Sequence, residues 1–161
     1  PSIAHYTTTK EELDEAAKKV FEMFITKKFK LNILNEITKN KKIPVLAPMG
    51  LDENNLPYNI NADTAAGAVA KALSSRRLLL MTNVEGVYDK NKKLIPEITA
   101  SEANKMIKEE IIISGMIPKI NTCIDSVNNG VRGVVIIDGR KQHSILHEIF
   151  SDKGAGTLIR K

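Results

Sequence analysis

Three short apolar runs limit what this chain can fold into: Ile43-Pro44-Val45-Leu46-Ala47-Pro48, Arg77-Leu78-Leu79-Leu80-Met81-Thr82 and Gly133-Val134-Val135-Ile136-Ile137. Each is strand length, nearly free of alternation, and bounded by Gly, Pro or polar residues. That is how a strand buried on both faces reads. A sheet with two apolar faces needs a layer on each side. The stretches between the runs supply it, because their apolar residues recur at helical spacing. Leu13, Ala16, Ala17, Val20, Phe21 and Phe24 predict a helix over about 10–27, opened by a capping box at Thr8 and Glu11 or at Thr9 and Glu12. Leu31, Leu34 and Ile37 predict a short helix within 27–42. Ala-rich residues with Gly67 predict one over 63–74, and Thr99 or Ser101 caps one over 101–108. Ile117, Ile120, Ile124 and Val127 share a face of a helix over 116–128 that Gly130 ends, and His143 to Phe150 form a last short one. Thr157 to Arg160 read as an edge strand, and 51–58 and 83–93 as polar loops. The pattern is α/β: a three-layer sandwich with a mainly parallel sheet.

The 161 residues amount to one domain of ordinary size, and 42% hydrophobic content with 27% charged supports a packed core rather than disorder. Lys plus Arg is 24 against 19 for Asp plus Glu, a net charge of +5. Residues 27–42 carry that much excess alone, with six lysines and Glu36. A solvated basic helix face is a simpler account of them than an anion-binding surface. With no Trp and 4% aromatics the chain lacks stacking platforms for single-stranded nucleic acid, so no nucleic-acid partner is expected. A lone Cys123 excludes an internal disulfide and a Cys-based zinc finger. No apolar run approaches the ~20 residues of a membrane span. No charged-then-apolar leader is seen, so a cytoplasmic location and no membrane partner are expected.

Ligands of largely parallel sheets sit at the carboxyl ends of the strands, which directs attention to the loops after Ala47, Met81 and Ile137. Two polar clusters stand out. In Tyr58-Asn59-Ile60-Asn61-Ala62-Asp63, Asn59 and Asn61 share a side and Asp63 stands at a helix start. Asp63 either caps that helix or orients cationic groups around a phosphate. In Ser114-Gly115-Met116-Ile117-Pro118-Lys119, Gly115 admits a ligand to the backbone and Lys119 lies in the first turn of the helix. A lysine there opposes the helix dipole unless an anion sits beside it; the other reading is a solvated lysine. His143 and His147 lie four apart beside Glu148, but no second carboxylate or cysteine is near in sequence, so no metal site is assigned.

The runs YNINADTAAGAVAKAL, LLLMTNVEGVYDKNKKLI, SGMIPKI and VIIDGRKQHSILHEIFSDKGAGTLI, in this order, resemble the carboxyl-terminal, ATP-binding half of the acetylglutamate kinases, a branch of the amino-acid kinase family. The resemblance covers about 43–161 and leaves 1–42 as a helical segment without a clear match. It implies transfer of the γ-phosphoryl of ATP, with Mg²⁺ bridging the phosphates, to the side-chain carboxylate of N-acetyl-L-glutamate in arginine biosynthesis. By the same resemblance Asp63 and Lys119 are catalytic, and Asn59 and Asn61 bind substrate. Thr82, Asn83, Gly86, Val87, Tyr88, Gly115 and Met116 hold the nucleotide. His143, Glu148, Gly154 and Gly156 match the L-arginine effector site of arginine-inhibited members. Those members are oligomers, so a homo-oligomer is expected, with the 10–27 helix as a candidate for building it. The chain also departs from the pattern. It has no glycine before Gly50 for the family's phosphate loop, Asn83 replaces a common acidic residue, and Ser114 replaces Gly or Asp. The alternative expectation is therefore a non-catalytic module that binds arginine or nucleotide.

Overall fold

The computed structural model describes residues 28–51 and 56–161. The chain divides into two units, 1–68 and 69–161. The expected 10–27 helix lies outside the described residues.

In the first unit, α1 (Lys28–Lys39) turns Leu31, Leu34 and Ile37 to one half-buried face. Lys39 in its last turn suits the dipole. The helix stops at Lys41, in the left-handed region at φ 57°, while the Lys42 N–H reaches back to the Ile37 carbonyl at 3.1 Å. The run Ile43–Pro48, expected to be a buried strand, is not one. Ile43 and Val45 are 89% and 93% exposed. Pro44 and Pro48 remove two N–H donors from a six-residue stretch, which disfavours a paired strand. Pairing falls to the next residues: β1 (Met49–Leu51) is antiparallel to β2 (Pro57–Asn59), with Gly50 opposite Tyr58. The 51–58 stretch is thus in part a strand. α2 (Ala62–Ala72) begins in this unit and ends in the next.

The second unit holds a four-stranded sheet in the order β3 (Leu78–Thr82), β5 (Val134–Asp138), β6 (Gly156–Arg160), β4 (Glu97–Thr99). β3 with β5 and β4 with β6 are parallel, and β5 with β6 is antiparallel. β6 is therefore interior, not the edge strand expected. Sheet order depends on long-range pairing, and the edge is taken by the three-residue β4, too short to show a period in sequence. β5 is buried along its whole length, so both of its faces are covered. α4 (Met116–Asn128) packs on β5 and β6, α3 (Ala100–Lys108) on α4 and β4, and α5 (Ser144–Phe150) on β5. The core joins Leu78, Leu80, Ile98, Ile159 and all of β5 to Ile120, Cys123 and Val127. Each such fully buried aliphatic contributes about 1.5–3 kcal/mol. The fold is the expected mixed α/β arrangement with a mainly parallel sheet.

Thr99 opens α3 with a complete capping box. Its hydroxyl accepts the Glu102 N–H at 3.2 Å, and the Glu102 carboxylate accepts the Thr99 N–H at 2.7 Å. Gly130, at φ 103°, follows α4, as expected. α2 and α3 close by the same wrap on Ser74 and Glu110, at φ 47° and 55°, residues that carry no glycine signal in the sequence.

Candidate functional site

Parallel pairing sets Thr82 opposite Asp138, and the Gly139 N–H donates to the Thr82 carbonyl at 2.8 Å. Because β6 runs the other way, its first residue, Gly156, lies at this same end, opposite Ile137. α4 returns to β5 through residues 129–133 and so runs against it. With a length of ~20 Å for a helix of this size, its first turn reaches the same end. The loops after β3 and β5, the start of α4 and the start of β6 therefore converge on one rim of the sheet.

The 83–88 loop is fastened at several points. The Val87 N–H donates to the hydroxyl of buried Thr157 at 2.8 Å, and that hydroxyl donates to the Ile95 carbonyl at 2.6 Å. Glu85 pairs with Lys141 from the loop after β5, and the Tyr88 hydroxyl donates to Glu85 at 3.3 Å. The Lys141 hydrogen bond and charge pull the Glu85 carboxyl below its ordinary range and raise the Lys141 ammonium, while desolvation raises the Tyr88 hydroxyl. Asp138 is buried and accepts the Arg140 guanidinium at 3.0 and 2.8 Å, together with the Arg140 N–H at 2.9 Å. These bonds hold its carboxyl down at about 2.

Four of the expected nucleotide residues share this loop, and Thr82, at the end of β3, leads into it. Gly86 and Val87 are buried, Thr82 and Tyr88 half-buried, and Asn83 exposed. Gly115 and Met116 begin α4. Gly115 is exposed and open space surrounds its α-carbon, whereas the Met116 and Ile117 amides already donate to the Ile113 and Ser114 carbonyls. Lys119, half-buried, is the fourth residue of α4, and no acidic residue lies in that first turn. An anion placed there would meet a positive helix end and an ammonium group.

In the first unit, Asn59 ends β2 and Asn61 caps α2. The Asn61 Oδ1 accepts the N–H groups of Asp63 and Thr64 at 3.0 and 3.1 Å. The capping role considered for Asp63 is thus filled by Asn61, and Asp63 stands half-buried inside the first turn.

A cavity of about 530 Å³ opens in the second unit among Arg77, Glu97, Glu148, Asp152, Gly154 and Gly156. Glu148, with its side chain 8% exposed, lies 3.6 Å from Arg77 and accepts the Ala155 N–H at 2.9 Å. Three of the four expected effector residues meet here. His143 does not line the cavity; it is the exposed, left-handed residue that starts α5. Sequence reasoning missed Arg77, Glu97 and Asp152 in this wall, and Glu85, Asp138, Arg140, Lys141 and Thr157 at the sheet end. Only Asp138-Gly139-Arg140 left a signal, as a turn after a strand. Among the described residues no group of three His, Cys, Asp or Glu is placed to hold a metal, and no helix is long and apolar enough to cross a membrane.

Loops that converge on one end of a mixed α/β sheet define a class of fold, and comparison with known proteins identifies the family. The model of the amino acid kinase family matches residues 10–138, and the chain belongs to that family. An acetylglutamate kinase from Pelagibacter ubique is 59% identical over 128 residues, 80% of this chain and 44% of that protein. One from a Bradyrhizobium species is 51% identical over 134 residues, 83% of this chain and 45% of its own length. The chain thus spans a little under half of the curated relatives it matches. Among solved structures, N-acetylglutamate synthase from Neisseria gonorrhoeae, complexed with coenzyme A and L-arginine, superposes with a TM-score of 0.77. It is 25% identical over 81% of this chain and 30% of that one.

Proposed function

We propose that this chain is the nucleotide-side half of a phosphotransferase that moves the γ-phosphoryl of ATP to the side-chain carboxylate of N-acetyl-L-glutamate in cytoplasmic arginine biosynthesis. The observation that carries the reading is the 59% identity over 128 residues to a protein named acetylglutamate kinase. Identity of that order extends to a second such kinase at 51%, which disfavours a non-catalytic binding module.

Phosphoryl transfer asks little covalent chemistry of a protein. It asks for positioning and for charge placed where the transition state develops it. In this reading the 82–88 loop and the start of α4 seat the nucleotide. Lys119 neutralises charge on the transferring group, Asp63 orients the cationic groups, and Asn59 and Asn61 contact the acetylamino acid. Magnesium binds chiefly to phosphate oxygens and water, with one or two carboxylates at most. The cavity at Glu148, Gly154 and Gly156 is the L-arginine effector site of this reading. Its carboxylates suit a guanidinium and an ammonium, and Arg77 suits a carboxylate. A homo-oligomer belongs to the same reading.

The test is acetylglutamate-dependent release of ADP by the enzyme that carries this chain. Lys119→Ala is expected to lower turnover by about 10²–10³, the usual effect of removing one charge-stabilising donor. Full turnover in that variant would refute the assignment of Lys119.

A further inference from the structure

The segment Gly154–Thr157 has the cavity on one side and the 83–88 loop on the other. On the cavity side, Gly154 (φ 67°) lies against the Glu148 carboxylate, Ala155 donates its N–H to that carboxylate at 2.9 Å, and Gly154 and Gly156 form part of the wall. On the loop side, Thr157 is fully buried. Its hydroxyl accepts the Val87 N–H at 2.8 Å and donates to the Ile95 carbonyl at 2.6 Å. The Ile95 N–H donates in turn to the Val87 carbonyl at 2.8 Å, which closes a ring of hydrogen bonds around one side chain. Gly86 rests on the same hydroxyl so closely that a Cβ there would collide with it.

We propose that Thr157 is a positioning residue through which the cavity at 148–158 sets the conformation of the 83–88 loop. The proposal rests on reading that loop as the nucleotide site. This buried hydroxyl has its single proton committed to the Ile95 carbonyl while it accepts from Val87, so both contacts fix its place. If the 154–157 segment moves, either Val87 follows or its N–H loses its partner. Glu148 sits at the other end of the segment, so a ligand that engages its carboxylate competes with the Ala155 N–H. The disturbance passes two residues along the chain from Ala155 to Thr157 and from there to the loop.

The test is hydrogen exchange of the amides in 84–88, measured beside ATP affinity, in the parent chain, Thr157→Val, Thr157→Ser, Glu148→Ala and the Glu148→Ala/Thr157→Val pair. Thr157→Val is expected to speed exchange in 84–88 by at least about tenfold and to weaken ATP several-fold. Thr157→Ser, which keeps the hydroxyl, stays within about threefold of the parent, given the cost of one methyl group. Glu148→Ala speeds exchange in 84–88 in the parent and adds nothing in the Thr157→Val background, because the route is already cut. Unchanged exchange in Thr157→Val, or an undiminished Glu148→Ala effect in the pair, overturns the proposal. Should the valine variant not fold, Gly86→Ala presses on the same hydroxyl and replaces it with the same expectation. Absence of ATP binding in the parent would overturn the nucleotide reading instead, and the exchange data would still decide the role of Thr157.

Discussion

Gly156→Ala tests the close packing at the start of β6. A Cβ at this position would collide with the Ile136 carbonyl oxygen and stand 2.9 Å from the Glu85 carbonyl oxygen. Both obstacles are main-chain atoms, so no side chain can rotate out of the way. One belongs to β5, which is buried throughout; the other belongs to the 83–88 loop, which Thr157 and Lys141 hold. Overpacking a tight site costs about 1–3 kcal/mol, and obstacles that are both backbone place this one near the upper end. For a chain of this size 1 kcal/mol moves the melting temperature by about 2–4 °C, so a loss of about 6–12 °C is expected. Thermal melts followed by far-ultraviolet circular dichroism measure it. Gly115→Ala is the control, since nothing lies within 4 Å of a Cβ there and its φ of −61° is ordinary. That variant should stay within about 3 °C of the parent, the effect of roughly 1 kcal/mol. A Gly156→Ala melt within about 1 °C of the parent would refute the packing argument.

Two further outcomes follow from local geometry. The Asp138 carboxyl, held at about 2 by Arg140, lies below its unperturbed value of 3.8. It therefore adds stability that is fully present above the unfolded value and is lost as the pH falls through the folded one. The urea midpoint of the parent should drop toward that of Asp138→Asn between roughly pH 4 and pH 2; a difference that does not change with pH over that range would contradict it. Thr99→Ala removes the acceptor of the Glu102 N–H and breaks the capping box of α3. The expected cost is about 1 kcal/mol in chemical denaturation, and no change would contradict the cap.

Much of the fold was legible in local pattern. The runs at 78–82 and 134–138 are strands, as their apolar composition predicts; 134–138 is buried along its whole length, whereas 78–82 buries Leu78 and Leu80 and leaves Met81 exposed. Thr99 and Glu102 mark a helix start by chemistry that acts over three residues. What stayed hidden was long-range. The interior place of β6 and the strand character of Glu97–Thr99 arise from pairing between residues about sixty apart. Ile43–Pro48 shows the opposite failure: its composition said strand, but two prolines and full exposure at Ile43 and Val45 say otherwise. The site divides in the same way. Glu148, Gly154 and Gly156 are near in sequence and line one cavity. Arg77 and Glu97 complete its wall from distant positions that no spacing connects. Glu85 and Lys141 are likewise far apart in sequence, and Thr157 reads as an ordinary strand residue until its two hydrogen bonds are seen.

The central claim is that the rim of the sheet formed by 82–88 and the start of α4 binds nucleotide, with Lys119 facing its phosphates. Calorimetric titration of the chain with ATP, beside Lys119→Ala, tests it most directly. The account predicts saturable one-to-one binding that weakens by about tenfold or more when the ammonium is lost, the loss of one charge-assisted contact. No saturable binding by the folded chain, or equal affinity in Lys119→Ala, would contradict it.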